Sequence, residues 1–419
     1  MDGENNAAVR GRSVEDTEFS LSAVSETKRQ SIWALLMVLV GFTYFSPSMS
    51  AGGNLGLGLN ARDFFIAMIL GNAFLGIYTG VLAYIGQKTG LTLDLLAIHS
   101  FGSKGSYLSS ALVSFTQIGW FGVGVAMFAL PLSEITHIHP LLIVCITGLL
   151  MTMTAYYGFK ALAILGTIAV PLITVLGIYS VSYGVNTVGG WAHVFSDNPS
   201  EPLTMAAALT LVIGNFISGG TSTPNFTRFG KTAFGAVFST VVAFFIGNII
   251  MFLFGAVGGA TTGQADIFYI LMAQGLTLPA ILVLGLNIWT TNNNALYTAG
   301  LGLSNISKKP SSPLVLVGGA IGTVLAIWLY DNFTAYLTFL GGLIPPVGAV
   351  IIIHYFLHRA EYEHEGFVPE MVNLGAILAV VIGAAVGTLL PWGVAPVNAL
   401  LTAAVIEGVW EMERNRHDH

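Results

Sequence analysis

Gln117 and Trp120 stand three residues apart in the run Thr116-Gln117-Ile118-Gly119-Trp120-Phe121-Gly122-Val123-Gly124, so an amide and an indole share one helix face. Gly119, Gly122 and Gly124 leave room beside them. An amide in an apolar run needs a partner, because an unsatisfied buried polar group costs roughly 1–3 kcal/mol. That partner is either a ligand or a neighbouring helix held by the amide. A second set, Asn287, Thr290 and Thr291, falls at i, i+3 and i+4 of the run Gly285-Leu286-Asn287-Ile288-Trp289-Thr290-Thr291-Asn292-Asn293-Asn294. Two hydroxyls and an amide oxygen, joined by carbonyls of a broken helix, make the uncharged oxygen cage that a hard cation prefers. Hydroxyls bonded back to the preceding turn are the alternative. Polar residues crowded into one window of a membrane helix are expected to face a cavity.

The elements that must position these groups are interrupted helices. Gly214-Asn215-Phe216-Ile217-Ser218-Gly219-Gly220-Thr221-Ser222-Thr223-Pro224 closes an apolar run that begins near Leu203, and its composition predicts a break at membrane depth. Phe45-Ser46-Pro47-Ser48-Met49-Ser50-Ala51-Gly52-Gly53 repeats that composition inside the first apolar run. Broken backbone at that depth survives only where protein or a wet cavity satisfies it. Paired interruptions in two halves of a chain point to a transporter site between inverted repeats, and a ligand-free proline kink is the plainer reading of the first alone.

Composition places all of this in a bilayer. The chain has 419 residues, 54% of them hydrophobic and 9% charged, with a mean hydropathy of +0.77; a soluble globule carries about a quarter charged residues. Spans of about 20 apolar residues are expected at 31–59, 63–87, 106–133, 140–159, 161–185, 203–227, 232–259, 277–303, 313–330, 333–357, 373–391 and 393–410. They form one domain over 31–410, with repeats at 31–185 and 203–357, two further helices at 373–410, a disordered tail at 1–30 and a short tail at 411–419. With the amino end in the cytoplasm, fourteen of the fifteen Lys and Arg residues lie inside and only Arg62 outside, which fixes span count and orientation together. Both termini are therefore expected to be cytoplasmic. Cys145 is expected to be a buried thiol, and Asp94 and His99 solvated loop residues. The run Glu361, Glu363, His364, Glu365 is read as a solvated charge cluster rather than a metal site.

Near the centres of spans one to ten there is no Asp or Glu, whereas proton-driven transporters usually carry one or a His chain. That favours Na⁺ over a proton as the ion handled. No His/Cys/Asp cluster or nucleophile–base set suggests an enzyme, and no organic cofactor is expected.

Four long stretches, GFTYFSPSMSAGGNLGLGL from Gly41, TQIGWFGVGVAMFA from Thr116, GNFISGGTSTPNFTRFG from Gly214 and GLNIWTTNNNALYTAGLG from Gly285, resemble the nucleobase:cation symporter family. Tyr44 and Asn293 depart from it, standing where the family suggests Phe and Asp. The resemblance implies an all-α membrane protein of twelve transmembrane helices, a five-plus-five inverted repeat of the LeuT type plus two helices, with the first and sixth discontinuous. It implies alternating access and uptake of a nucleobase, cytosine foremost, across the bacterial inner membrane, with no nucleic-acid or protein partner. Trp120 and Phe216 would then sandwich the base, Gln117 and Ser218 would bond its edge, and Asn287 and Ser46 would stand close by. Na⁺ would sit against the carbonyls of Gly41, Tyr44 and Asn287 and the hydroxyls of Thr290 and Thr291. Another nucleobase or a hydantoin-like substrate, proton coupling, and a passive channel are the rival readings. Uracil presents Gln117 with the reverse of cytosine's hydrogen-bond pattern, and an amide flip would compensate unless neighbours hold the amide.

Overall fold

Tyr44 and Phe45 interrupt the first span, and the helix axis turns by 48° there. The computed structural model describes residues 19–157, 159–196, 199, 201–362 and 368–417. Among these the chain is helical, with a single isolated bridge between Gln30 and Gly230. The first span is α1 (Ile32–Thr43) and α2 (Ser46–Gly58). There follow α3 (Ala61–Thr89), the short α4 (Leu93–Phe101), α5 (Ser106–Thr136), α6 (Pro140–Ala155), α7 (Phe159–Thr187), α8 (Met205–Thr221) and α9 (Pro224–Thr227). The second half holds α10 (Ala233–Val241) and α11 (Asn248–Thr262), α12 (Ile267–Ala273), α13 (Thr277–Pro279) and α14 (Gly285–Ser307). It closes with α15 (Ser311–Asp331), α16 (Phe333–Leu343), α17 (Pro345–Leu357), α18 (Leu374–Leu389) and α19 (Ala395–His417). Wide π turns at Val242–Gly247 and Ala280–Leu284 join α10 to α11 and α13 to α14.

Every stretch expected to span contains a helix. Among the described residues seven helices qualify as crossings by length and apolarity, or eight with α1 and α2 taken together. α6 and α18 are 16 residues each, α14 is diluted by its asparagines, and α19 by its terminal charges.

The glycine-rich stretches differ from expectation. α2 is helical from Ser46, and α8 runs through Gly214–Thr221 without interruption, yielding only at Ser222 and Thr223. Glycine there serves packing. A Cβ on Gly52 or Gly56 would lie 2.2 Å from the Phe252 or Ala256 carbonyl of α11, and one on Gly255 would lie 1.7 Å from the Met49 carbonyl of α2. Small residues one turn apart let the two backbones touch, which in lipid supplies packing where no hydrophobic drive exists. Likewise a Cβ on Gly214 would meet the Leu337 carbonyl at 2.7 Å, and one on Gly219 the Phe42 ring at 2.8 Å.

α5 and α14 carry the two predicted sets, and polar bonds fix them side by side. Ser114 Oγ donates to Ala299 O at 3.2 Å, Asn292 Nδ2 to Phe121 O at 3.1 Å, and Asn305 Nδ2 to Ser110 Oγ at 2.9 Å. Thr154 of α6 donates to Asn293 Oδ1 at 3.0 Å, and Asn294 Nδ2 to Thr290 O at 3.2 Å. The polar window of α14 is thus spent mainly on helix contacts rather than on a cavity, because an amide in an apolar bundle is satisfied as well by a neighbouring carbonyl.

The end of the bundle that carries most of the Lys and Arg is closed. Arg228, fully buried, donates to Phe19 O at 2.7 Å, Asn225 O at 3.1 Å and Tyr297 Oη at 3.1 Å. Residues 1–18 of the expected tail lie outside the described residues, but from Phe19 onward it packs on this end: Val24 N donates to Gly90 O, Gln30 N to Phe229 O, and Arg29 Nη1 to Gln87 O. The disorder expected over 19–30 gives way because these backbone groups find partners. Asp94 also departs from expectation. It lies on α4, is 2% exposed, and burial pushes its carboxyl up to about 6 despite Ser110, Arg228 and Lys308 nearby. Cys145 is exposed on α6 rather than buried.

Candidate substrate and ion site

Where the first span breaks, α14 closes the gap. Ser46 N and Oγ donate to Asn287 Oδ1 at 2.9 and 2.7 Å, and Asn287 Nδ2 donates to the Tyr44 carbonyl. One amide thus satisfies the exposed start of α2 and the exposed end of α1, groups a helix terminus always leaves orphaned. Asn287 and Ser46 are fully buried. The break also releases a carbonyl: Phe45 N–H, which would continue the α-helix by bonding Gly41 O, goes to Thr43 O at 2.9 Å.

Beside the break lies a small cavity of about 10 Å³ lined by Phe42, Phe45, Gln117, Trp120, Asn215, Phe216, Gly219, Thr291 and Ala295. That volume is about one water. Four expected residues, Gln117, Trp120, Phe216 and Thr291, meet here. Phe45 touches both aromatic walls, with ring centres 5.2 Å from Trp120 and 6.0 Å from Phe216 at 70° and 73°. A flat ring reaches the space between those walls only if Phe45 moves. Phe42 and Phe45 are the aromatics that lead into the break, and Asn215, which precedes Phe216, is the lining residue whose role the sequence did not mark.

Gln117 is held in one sense by a chain of hydroxyls. Thr116 Oγ1 donates to the Val113 carbonyl at 2.8 Å, so its oxygen is left to accept the O–H of Ser218, with which it is in close contact. Ser218 Oγ must then accept from Gln117 Nε2, which lies 2.8 Å away. The buried Oε1 of Gln117 has no partner, and neither has Oδ1 of Asn215, whose Nδ2 donates to Ser48 Oγ at 2.8 Å. Tyr336 stacks its edge on Trp120 at 5.5 Å and donates to Thr116 O.

Thr290 and Thr291 are bonded back to α14. Thr290 Oγ1 donates to Leu286 O at 3.0 Å, and Thr291 Oγ1 to Asn287 O at 3.2 Å and Ile288 O at 3.1 Å. A hydroxyl that gives its proton to a carbonyl still presents lone pairs, so back-bonding leaves both oxygens able to face a cation.

At the opposite end from Arg228, a cavity of about 460 Å³ is lined by Ser50, Asn54, Met127, Asp266, Tyr330 and the α15–α16 junction at 331–335. Phe333, the first residue of α16, lies 6.1 Å from the Trp120 ring, so this pair separates the vestibule from the centre. Burial raises the Asp266 carboxyl pKa, while hydrogen bonds from Phe268 N, Tyr330 Oη and Tyr269 N oppose it.

A bundle with a broken first span and a buried, amide-lined centre between two ends of unequal closure has close relatives. Residues 23–409 match the family described as permeases for cytosine/purines, uracil, thiamine and allantoin. The chain belongs to this family. It is 53% identical over 392 residues to the cytosine permease of Escherichia coli K12, covering 93% of each chain. To the hydantoin permease of Microbacterium maritypicum it is 24% identical over 315 residues, 65% of this chain and 62% of that one. Its fold matches that of Mhp1, a nucleobase-cation-symport-1 family transporter in a closed conformation with bromovinylhydantoin bound, with a TM-score of 0.81 at 19% identity over 93% and 94% of the two chains. The permease family and its LeuT-like helical fold agree with a multi-pass membrane transporter and not with an enzyme.

Proposed function

We propose that this permease takes up a nucleobase, cytosine, together with Na⁺ by alternating access, in a bacterial inner membrane with both termini and the basic end cytoplasmic. The name of the 53%-identical relative supports the substrate, and the polarised chain Gln117–Ser218–Thr116–Val113 carries the reading. With one Nε2 hydrogen committed to Ser218, Gln117 keeps a second hydrogen and a free Oε1. Cytosine's edge answers both, its amino group donating to Oε1 and its ring nitrogen accepting from Nε2. Uracil reverses that edge, and the flip that would rescue it costs Gln117 its bond to Ser218. Trp120 and Phe216 supply faces for stacking, worth roughly 1–3 kcal/mol per base in nucleic-acid binders.

Thr116→Val keeps the shape and removes the hydroxyl that orders the chain. Competition of labelled cytosine uptake by uracil should then strengthen about tenfold, the loss of about 1.4 kcal/mol of discrimination. An unchanged ratio of the two affinities would show that the amide is not held this way. The same assay with purines, hydantoin and allantoin ranks the rival substrates.

Na⁺ is read as co-substrate at Gly41, Tyr44, Asn287, Thr290 and Thr291. Support comes from the carbonyl freed at Gly41, the lone pairs that the two back-bonded hydroxyls retain, and the neutrality of the set, which suits a hard monovalent cation. Thr291→Ala should raise the Na⁺ concentration for half-maximal uptake about tenfold, again about 1.4 kcal/mol, read at constant ionic strength in proteoliposomes with imposed gradients. Uptake driven by a proton gradient alone, or an unshifted Na⁺ dependence in the variant, would overturn the assignment. Accumulation against a gradient excludes a passive channel.

A further inference from the structure

At the basic end, away from the proposed substrate path, His354, His358 and Glu411 of two helices converge, with Glu407 one turn away. His354 and His358 are one turn apart at the end of α17, a spacing that puts both imidazoles on one face, and their ring centres are 4.7 Å apart. Glu411 of α19 brings Oε2 to 2.9 Å from His358 Nε2. One ligand atom from each of these three residues lies within 4.8 Å of the others. Their outer partners are set as metal ligands require. His354 Nδ1 is 2.9 Å from Tyr362 Oη, His358 Nδ1 is 3.3 Å from Glu361, and Glu411 Oε1 accepts from Asn373 Nδ2 at 2.8 Å.

Glu407 supplies the independent observation. It precedes Glu411 by one turn of α19 and is fully buried, and neither of its carboxylate oxygens has a hydrogen-bond partner. Its charged neighbours include Glu411 and His358. A carboxylate cannot be held unpaired in such a place; it takes either a proton or a cation. Two imidazoles with two carboxylates are the mixed nitrogen and oxygen set that zinc-class cations favour, whereas calcium and magnesium ask for oxygen alone.

We propose that His354, His358, Glu407 and Glu411 bind one divalent transition-metal cation of the zinc class, stapling α17 to α19 at the basic end. The ligand atoms of His354, His358 and Glu411 already cluster, so His358 needs only to exchange its bond with Glu411 for one to the metal, while the Glu407 carboxylate must turn toward them. Arg414, 3.9 Å from Glu411 Oε1, is engaged by Glu370 at 2.8 Å.

The test uses the full chain in detergent, purified without a polyhistidine tag and stripped with chelator. After one equivalent of Zn²⁺ and desalting, the wild type should retain one zinc per chain, and Co²⁺ in its place should show the visible bands of a tetrahedral centre. His358→Gln and Glu411→Gln should each abolish retention while binding of labelled cytosine persists, which reports folding independently. Glu407→Gln, nearly isosteric, should weaken Zn²⁺ affinity at least tenfold, and Asn373→Ala about tenfold. No retained zinc in the wild type would mean that Glu407 simply holds a proton beside a histidine–carboxylate pair, and the proposal falls. It falls equally if all four variants keep wild-type stoichiometry and affinity, which would place the metal elsewhere.

Discussion

Gln117→Ala should weaken cytosine binding roughly 30- to 1,000-fold, the outcome of losing two edge bonds and leaving the ligand's amino group without an acceptor, about 2–4 kcal/mol in all. The truncation also strands Ser218 Oγ, which now accepts from Gln117 Nε2. Folding should survive, because Gln117 reaches no other helix than α8 through this bond and Oε1 has no protein partner. Equilibrium binding of labelled cytosine to purified protein reads the effect, with the thermal unfolding midpoint as control. An affinity within threefold of wild type, with the midpoint unchanged, would remove Gln117 from the site.

A larger effect on the fold itself is expected from Gly255→Ala, the smallest change available. The added Cβ would stand 1.7 Å from the Met49 carbonyl of α2, with Met49 C at 2.5 Å and Cα at 2.7 Å. These are backbone atoms that no rotamer change can move. α2 and α11 must separate, which undoes the neighbouring contacts of Gly52, Gly56 and Gly259 as well. Overpacking of a core costs about 1–3 kcal/mol even where side chains adjust, so a backbone collision along a whole helix pair should exceed that. The variant is expected to elute as aggregate on size exclusion and to take up no substrate. Gly408→Ala is the matched control, since its Cβ would meet only Ile353 Cγ2 at 3.9 Å. A Gly255→Ala protein that is monodisperse and active would show that the two backbones are not in contact.

The same contact shows what most of the glycines in these stretches do. The interruptions fall at Tyr44–Phe45 and Ser222–Thr223, at the edges of the Gly-, Ser- and Pro-rich stretches, and the helical remainder packs: Gly52, Gly53, Gly56 and Gly214 face neighbouring backbones, Gly219 and Gly220 the side chains of Phe42 and Thr79. A glycine has the same letter whether it frees a chain from helical geometry or lets another chain approach, and only the position of the neighbour separates the two. Asn292, Asn293 and Asn294 pose the same ambiguity: each gives one amide atom to a carbonyl or hydroxyl of α5, α6 or α14, while Asn292 Oδ1, Asn293 Nδ2 and Asn294 Oδ1 are buried without a partner. Asp94, expected as a solvated loop residue between two spans, lies instead on α4, and packing there buries the carboxylate.

Local chemistry, by contrast, was legible. The all-helical membrane class follows from apolar length, since a bilayer leaves a chain few other ways to satisfy its backbone. Gln117 beside Trp120, and Asn287 with the two threonines, stand out because polar groups in apolar helices need a reason. What tertiary structure alone decided is the direction of each hydrogen bond and the partner at each break. Asn287 closes the gap at Tyr44 and Ser46 across 243 and 241 positions of sequence, and Ser218 orients Gln117 across 101. Such pairings are properties of how helices cross, and separation along the chain carries no trace of them until the bundle has formed.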